Sequence, residues 1–259
     1  MVIKCPQCKG RKFWKLGDGR LKCVRCKCRF SKPKKRFSIS KRLLRKVIEE
    51  FLLEHSTNVI FSRVNISKYK LLKVLTLLRI AMTKDVPDVF SGIVKVDETY
   101  LGGQMKNRKK KDRLKLGKNR RGFGTIKQAV FGIFCRKGKV WAEVVPGIEA
   151  KNLQPLIEKQ VKKGSTICSD GWRAYTGLAA KGYLHRLVDH SQNEYSNKKG
   201  YHINSLEGFW GYLKRKLAAK GGIRRERLPI YLGEYVWRFN YRKLSLKEKV
   251  NTLFKLIYE

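Results

Sequence analysis

The sequence contains few acidic residues and few histidines. It has 20 Asp and Glu against 61 Lys and Arg, and only four His, so the formal net charge of the 259-residue chain is +41. That charge is far larger than solubility requires, and it indicates a polyanionic partner. Because acids are scarce, an acid at the end of an apolar strand stands out as a candidate for function.

Long apolar runs are also missing. No run approaches the length that spans a bilayer, and the N-terminal sequence MVIKCPQCKG has no apolar stretch typical of a secretory signal. Acidic membranes attract basic proteins too, but these absences favour nucleic acid as the partner and no membrane. We expect an intracellular protein. The 42% hydrophobic content suffices for one sizeable core and a smaller appended unit.

The cysteine pattern indicates a metal site rather than disulfides. The seven cysteines are odd in number, and four of them form two CxxC pairs with fourteen residues between the pairs. Each pair can bind from one tight turn, so we predict one structural Zn²⁺ ion in a tetrahedral thiolate site, although redox thiols are an alternative. Cys28 could replace Cys26 as the fourth ligand. The predicted ligands are Cys5, Cys8, Cys23 and Cys26.

Three segments follow from composition and periodicity. Residues 1–34 resemble a small zinc ribbon, and residues 35–86 carry two amphipathic helical patterns, the second starting with Ser67 as a predicted N-cap. Two helices joined by a polar link resemble a helix-turn-helix, although paired helices are common in proteins that do not read DNA. Residues 87–259 form the third segment.

The sequence pattern of the third segment predicts a mixed α/β fold. GIVKVDETYLGG indicates a strand that ends near Asp97, and QAVFGIFC and VWAEVV indicate a hairpin. A helix over 149–163, a strand at TICSD, a helix at GWRAYTGLAAKG and a strand at YLHRLV follow, and the chain is helical from about Asn204. Strands that form a hairpin and then alternate with helices are typical of mixed sheets.

A basic insertion, residues 106–122, lies between the Asp97 strand and the hairpin. It has ten Lys or Arg and one Asp. We predict that it holds the DNA backbone without reading sequence, and a solvated loop or a localisation signal is the alternative. The predicted DNA-binding residues are Lys106, Arg108, Lys109, Lys110, Lys111, Arg113, Lys118, Arg120 and Arg121, with Arg215 in the C-terminal helical region.

Three acids are candidates for a catalytic site. Asp97 and Asp170 each follow an apolar strand, where a charge is costly unless it is paired or binds metal. Glu207 flanks the apolar stripe of a helix, and Lys214 lies two turns further along the same edge. Taken alone, each acid matches an ordinary helix cap, turn or surface residue, which is the alternative interpretation. Together such acids can hold two Mg²⁺ or Mn²⁺ ions, the arrangement used in phosphoryl transfer.

At these residues the sequence resembles the DDE transposases of insertion sequences, in the zinc-ribbon-bearing ISXO-like group. The matching parts are the ribbon, VDETYLGG, SDGWRAY and HINSLEGFWGYLKR. The resemblance implies a ribonuclease-H-like catalytic core, with Asp97, Asp170 and Glu207 as the metal triad and Lys214 near the scissile phosphate. Asn204 is a reserve candidate for the third position, as Glu98 is for the first.

The resemblance also implies an activity and partners. The activity is cleavage at the ends of a mobile element, followed by strand transfer into target DNA. The partners are double-stranded DNA and further copies of the chain, as a homodimer or higher multimer, in the cytoplasm or nucleoid of a prokaryote. A non-catalytic zinc-ribbon regulator explains the charge equally well, and a metal-dependent nuclease without strand transfer would share the three acids.

Overall fold

The computed structural model describes residues 3–31, 39–87, 89–102, 127–136, 138–187 and 204–258, without the side chains of residues 204 and 205. The chain divides into two compact units, Met1–Leu44 and Arg45–Glu259. The basic insertion over 106–122, with the DNA-binding residues predicted in it, lies outside the described residues. The division into segments 1–34, 35–86 and 87–259 stays a prediction.

The first unit contains a small antiparallel sheet. Its strands are β1 (Phe13–Lys15), β2 (Leu21–Cys23) and β3 (Arg29–Phe30), in that order across the sheet. The rings of Phe13 and Phe30 meet edge to face with centroids 5.3 Å apart. Among residues 3–31, the buried hydrophobic side chains are Cys5, Leu21 and Cys23. So little apolar burial does not stabilise a unit of this size by itself.

Helices precede the large sheet. They are α1 (Lys41–Leu52), α2 (Thr57–Arg63) and α3 (Lys68–Lys84). The side chain of Ser67 accepts a hydrogen bond from the backbone N–H of Lys70, which confirms the predicted N-cap. The link between the two predicted helices is itself helical, because Ser56 caps α2 and Ile60 is buried. The segment therefore has one helix more than the sequence pattern indicated.

The second unit is built on a five-stranded mixed sheet, which confirms the predicted α/β class. Its order is β6-β5-β4-β7-β8, with antiparallel pairing among the first three strands and parallel pairing among the last three. β5 and β6 form the predicted hairpin. The strands are β4 (Ile93–Leu101), β5 (Gln128–Cys135), β6 (Val140–Val144), β7 (Thr166–Ser169) and β8 (Leu184–Leu187).

Two predicted boundaries in this unit are wrong. β4 does not end near Asp97 but continues to Leu101, because its pairing with β5 extends to Gln128. GWRAYTGLAAKG is not one helix but two 3-10 turns, Arg173–Tyr175 and Ala179–Lys181. Gly177 separates the turns with a φ of +89°, a conformation that ends a right-handed helix and that glycine adopts without steric cost.

Helices cover both faces of the sheet. α4 (Ala150–Gln160) packs against one face through Leu153 and Ile157. α5 (Asn204–Ala218) and α6 (Leu228–Asn240) pack against the other, and α3 and α7 (Leu246–Tyr258) pack together alongside α6. Side chains alternate along β4, so the odd-numbered residues face α5 and the even-numbered residues face α4. No helix in the described ranges is long and apolar enough to cross a membrane.

Candidate active site and metal centre

The four predicted thiolates converge in the first unit. The Sγ atoms of Cys5 and Cys26 are 3.4 Å apart, those of Cys8 and Cys23 are 3.5 Å apart, and all four lie within 4.8 Å of one another. A tetrahedral Zn²⁺ ion with bonds of about 2.3 Å holds its sulfur ligands about 3.8 Å apart. The cluster therefore fits a zinc ion.

The two CxxC turns have the same local geometry. Lys9 and Lys27, each directly after a turn, adopt positive φ angles of 57° and 61°. Their N–H groups donate to the carbonyls of Cys5 and Cys23, at 3.0 Å in both turns. Cys28 lies outside the group of four, and its Sγ contacts the carbonyl of Arg29 at 3.8 Å. Cys26, rather than Cys28, is therefore the fourth member of the cluster.

Asp97 lies in the middle of β4, on the face covered by α5. Its Oδ2 accepts a hydrogen bond of 2.9 Å from the indole N–H of Trp210. Opposite Asp97 in β5 is Gly132, and a Cβ there would lie 2.6 Å from the Trp210 ring. Gly132 therefore makes room for the indole, and the indole holds the carboxylate of Asp97.

Asp170 follows the strand next to Asp97. β4 and β7 are parallel, with Lys95 opposite Cys168. Extending this register by two residues places Asp97 beside Asp170, on strands about 4.8 Å apart. The Oδ1 of Asp170 accepts a hydrogen bond of 3.1 Å from the backbone N–H of Trp172, which shapes the turn after β7.

Glu207, Lys214 and Arg215 all lie on α5. Glu207 is in the first turn of the helix and is exposed, and Lys214 and Arg215 are exposed further along it. Asn204, the reserve candidate, begins the same helix. The three acids do not gather around one point as the cysteines do. In the parts of the chain that the structure covers, the cysteine cluster is the group that converges tightly enough to enclose an ion.

The charges of the other two acids nevertheless act on Asp97. Burial raises the pKa of Asp97, the hydrogen bond from Trp210 opposes that rise, and the negative charges of Asp170 and Glu207 raise the pKa further. Neighbouring carboxylates that disfavour each other's ionised form attract a cation. Their oxygen atoms are the ligands that Mg²⁺ and Mn²⁺ prefer.

Glu98, the reserve candidate for Asp97, points to the opposite face of the sheet. Its carboxylate accepts a hydrogen bond from the phenol O–H of Tyr175. Burial raises the pKa of Glu98 to about 7, with Tyr175 lowering it and Asp97 and Asp170 raising it. Burial also raises the pKa of Tyr175, and the charge of Glu98 adds to that effect.

Lys95 is a cation on the same face of β4 as Asp97. Its Nζ is buried and has no hydrogen-bond partner among the described residues. Burial lowers the pKa of Lys95, while the charges of Cys168 and Glu207 raise it and that of Arg136 lowers it. The acid site therefore has a buried positive group beside it.

Comparison with known proteins places this chain in a family. The family model of the ISXO2-like transposase domain matches residues 89–240, which include all three acids and the whole five-stranded sheet. The chain belongs to the ISXO2-like transposases. A transposase-like protein of Haemophilus influenzae is 33% identical over 121 residues, which are 47% of this chain and 95% of that protein.

Two further similarities are weaker. A protein in the transposable element ISH50 of Halobacterium salinarum is 26% identical to this ISXO2-like transposase over 170 residues, 63% of this chain and 58% of that protein. The crystal structure of a pre-cleavage Mos1 transpososome has a TM-score of 0.31 and 12% sequence identity, covering 89% of this chain and 83% of that one.

Sequence reasoning overlooked the residues around the acids. Gly132 interrupts the apolar strand QAVFGIFC, and a glycine inside a strand often marks a close approach, here by Trp210. Lys95 breaks the apolar run GIVKV, which marks it as a charge that the fold has to accommodate. The hydrogen bond between Tyr175 and Glu98 joins distant parts of the chain, and no local pattern indicates it.

Proposed function

We propose that this chain is a DDE-type transposase that cleaves DNA at the ends of an insertion sequence and joins those ends to target DNA. The observation that carries the proposal is the placement of the acids: the register of β4 and β7 sets Asp97 beside Asp170, and α5, which carries Glu207, also supplies the Trp210 indole that donates a hydrogen bond to Asp97. The family that the chain belongs to supports transposition as the context for this site.

We propose a ribonuclease-H-like core for the second unit. A five-stranded mixed sheet with α4 on one face and α5 on the other supports it. The first two acids lie in and after adjacent parallel strands, and the third enters from the helix that packs over them. Such a frame presents carboxylates from two interior strands and from the helix that packs on them.

Asp97, Asp170 and Glu207 would hold two Mg²⁺ or Mn²⁺ ions, which supply activation of the attacking oxygen and stabilisation of the leaving oxygen in phosphoryl transfer. Asp97 is positioned by Trp210, and Asp170 by the turn that ends in Trp172. Glu207 is exposed, and its side chain has several staggered conformations through which it can reach an ion. Lys214 is the residue proposed near the scissile phosphate.

The remaining segments would bind DNA. We propose that the first unit holds one structural Zn²⁺ ion and contributes to recognition of the element ends, and that α1 to α3 and the basic insertion contact the duplex. The large positive charge supports a strong contribution from phosphate contacts. Joining two ends requires both to be held together, so we also propose a homodimer or higher multimer in the DNA complex.

The test is cleavage of DNA taken from the flanks of the coding sequence, in the presence of Mg²⁺. Wild-type protein should produce nicked ends and joined products. Asp97→Asn, Asp170→Asn and Glu207→Gln should each reduce both by at least about 10³-fold, because each loses a ligand to the catalytic ions. Affinity for the duplex should stay within a few-fold of wild type.

Glu143→Gln is the matched control, because Glu143 is an exposed acid on β6. This variant should cleave at the wild-type rate. Nicked ends without joined products would favour a nuclease without strand transfer. Tight binding without any cleavage by the wild type would favour the non-catalytic regulator. Full activity in one triad variant would remove that residue from the site, and Asn204 and Glu98 would be tested next.

A further inference from the structure

Lys95 shares a face of the sheet with the first catalytic acid. It precedes Asp97 by two residues in β4, so the two side chains project to the same side, with Cα atoms about 6.7 Å apart. Lys95 is flanked by Phe134 in β5 and by Cys168 in β7. Neither neighbour offers a carboxylate to pair with the ammonium.

The ammonium of Lys95 has no structural partner in the described part of the chain. Its Nζ is buried and makes no hydrogen bond there. A buried polar group without a partner is destabilising, and a charged one more so. An apolar residue would suit this position under α5 better, so stability does not account for a lysine here.

Charged groups from three elements act on Lys95. Cys168, when ionised, and Glu207 in the first turn of α5 attract the ammonium, and Arg136, directly after β5, repels it. Divalent cations at the three acids would repel Lys95 as well. The group that Lys95 can bind is therefore an anion. This anion would lie next to the ions held by the three acids.

We propose that Lys95 binds a non-bridging phosphate oxygen of the DNA strand held at the acid site. The inference rests on the proposed function, because it takes DNA as the substrate at these acids. A phosphate oxygen supplies the acceptor that Nζ lacks in the free chain. The four methylenes of lysine allow Nζ to extend along β4 toward Asp97, so contact with a phosphate there requires only rotation about side-chain bonds.

The first test compares Lys95→Met with Lys95→Arg and with Lys159→Met. Lys159 is an exposed lysine on α4, on the far face of the sheet, so it controls for the loss of one charge. Lys95→Met should keep or raise the melting temperature and should slow Mg²⁺-dependent cleavage roughly 10- to 100-fold, the range for one hydrogen bond to a charged group. Lys95→Arg should recover most of the rate, and Lys159→Met should match wild type.

The second test identifies the contact itself. The cleavage position is mapped with wild-type protein, and each phosphate within two nucleotides of it is replaced in turn by a neutral methylphosphonate. At one position the wild type and Lys95→Met should cleave at the same rate, because the neutral methylphosphonate has already removed the contact between Lys95 and the phosphate. A difference that persists at every position would mean that Lys95 acts through Glu207, and equal rates on unmodified DNA would remove Lys95 from the site. Either result overturns the inference.

The third test does not require cleavage. The affinity for duplex DNA is measured with Ca²⁺ at several salt concentrations. Lys95→Met should lower the slope of log affinity against log salt by about 0.9, the value for one phosphate contact, and Lys159→Met should leave it unchanged. An unchanged slope in Lys95→Met contradicts the phosphate contact. If the wild type does not cleave, the proposed function fails, and this slope still decides whether Lys95 contacts a phosphate.

Discussion

The two units of this transposase differ in what stabilises the fold of each. Residues 3–31 bury Cys5, Leu21 and Cys23 as their hydrophobic side chains, two of which belong to the four-cysteine cluster. The second unit has extensive apolar clusters on both faces of a sheet. The second unit therefore folds by apolar burial, whereas the first has little of it and contains instead a four-cysteine cluster that fits a zinc ion.

The buried acid Glu234 and the half-buried acid Asp97, both in the second unit, extend this comparison. Glu234 is 1% exposed and accepts hydrogen bonds from Arg79 at 2.7 Å and Arg238 at 2.9 Å. Asp97 has an indole N–H from Trp210 and is repelled by two other acids. Two guanidinium groups therefore neutralise Glu234, whereas Asp97 makes no ion pair within the described ranges.

Metal removal should have the largest effect, and it should unfold one unit without the other. Chelation of zinc, or Cys23→Ser, should unfold residues 3–31, because structural zinc sites contribute about 10–16 kcal/mol of apparent binding free energy. The second unit should stay folded, since its core does not include the cluster. Hydrogen exchange measured by mass spectrometry reports both units in one experiment.

Cys28→Ser is the control for that experiment, since Cys28 lies outside the cluster. It should retain one zinc ion and normal exchange in both units. Loss of zinc in this variant would assign the fourth ligand to Cys28. Unfolding of the second unit on chelation would show that the two units are not independent in their stability.

Glu234→Gln should have the next largest effect, confined to the second unit. It leaves the largely buried guanidinium groups of Arg79 and Arg238 without their shared countercharge, and removing the buried partner of an ion pair in this way costs about 3–5 kcal/mol. Urea unfolding measures the loss, and zinc content should be unchanged. The exposed pair Glu158–Lys181 supplies the control, because Glu158→Gln should cost less than about 1 kcal/mol. Equal effects would contradict the role assigned to Glu234.

Trp210→Phe should have the smallest effect on the fold and a selective effect on the site. It keeps an aromatic ring beside Gly132 but removes the N–H that holds Asp97, which costs about 1–2 kcal/mol, or roughly 5- to 30-fold in cleavage rate. Trp141→Phe, on the opposite face of the sheet, is the control and should cleave normally. A melting temperature that falls as far as in Glu234→Gln would show that Trp210 acts mainly in packing.

The features that were predictable from the sequence depend on local spacing. The two CxxC pairs bring their own turns, Ser67 caps the helix directly after it, and the hairpin of β5 and β6 joins two neighbouring apolar runs. The end of β4 was not predictable, because its length is set by pairing with Gln128, which is distant in sequence. The single helix expected after Asp170 does not form, because Gly177 adopts a positive φ.

Sequence alone determined the chemistry that this protein has available: four thiolates at zinc-binding spacing, a large excess of positive charge, and the motifs around Asp97, Asp170 and Glu207. Tertiary structure decided which groups meet. The parallel register sets Asp170 beside Asp97, the absence of a side chain at Gly132 admits the Trp210 indole, and packing buries the ammonium of Lys95. Such contacts depend on strand pairing and packing across a hundred residues or so, which no local pattern encodes.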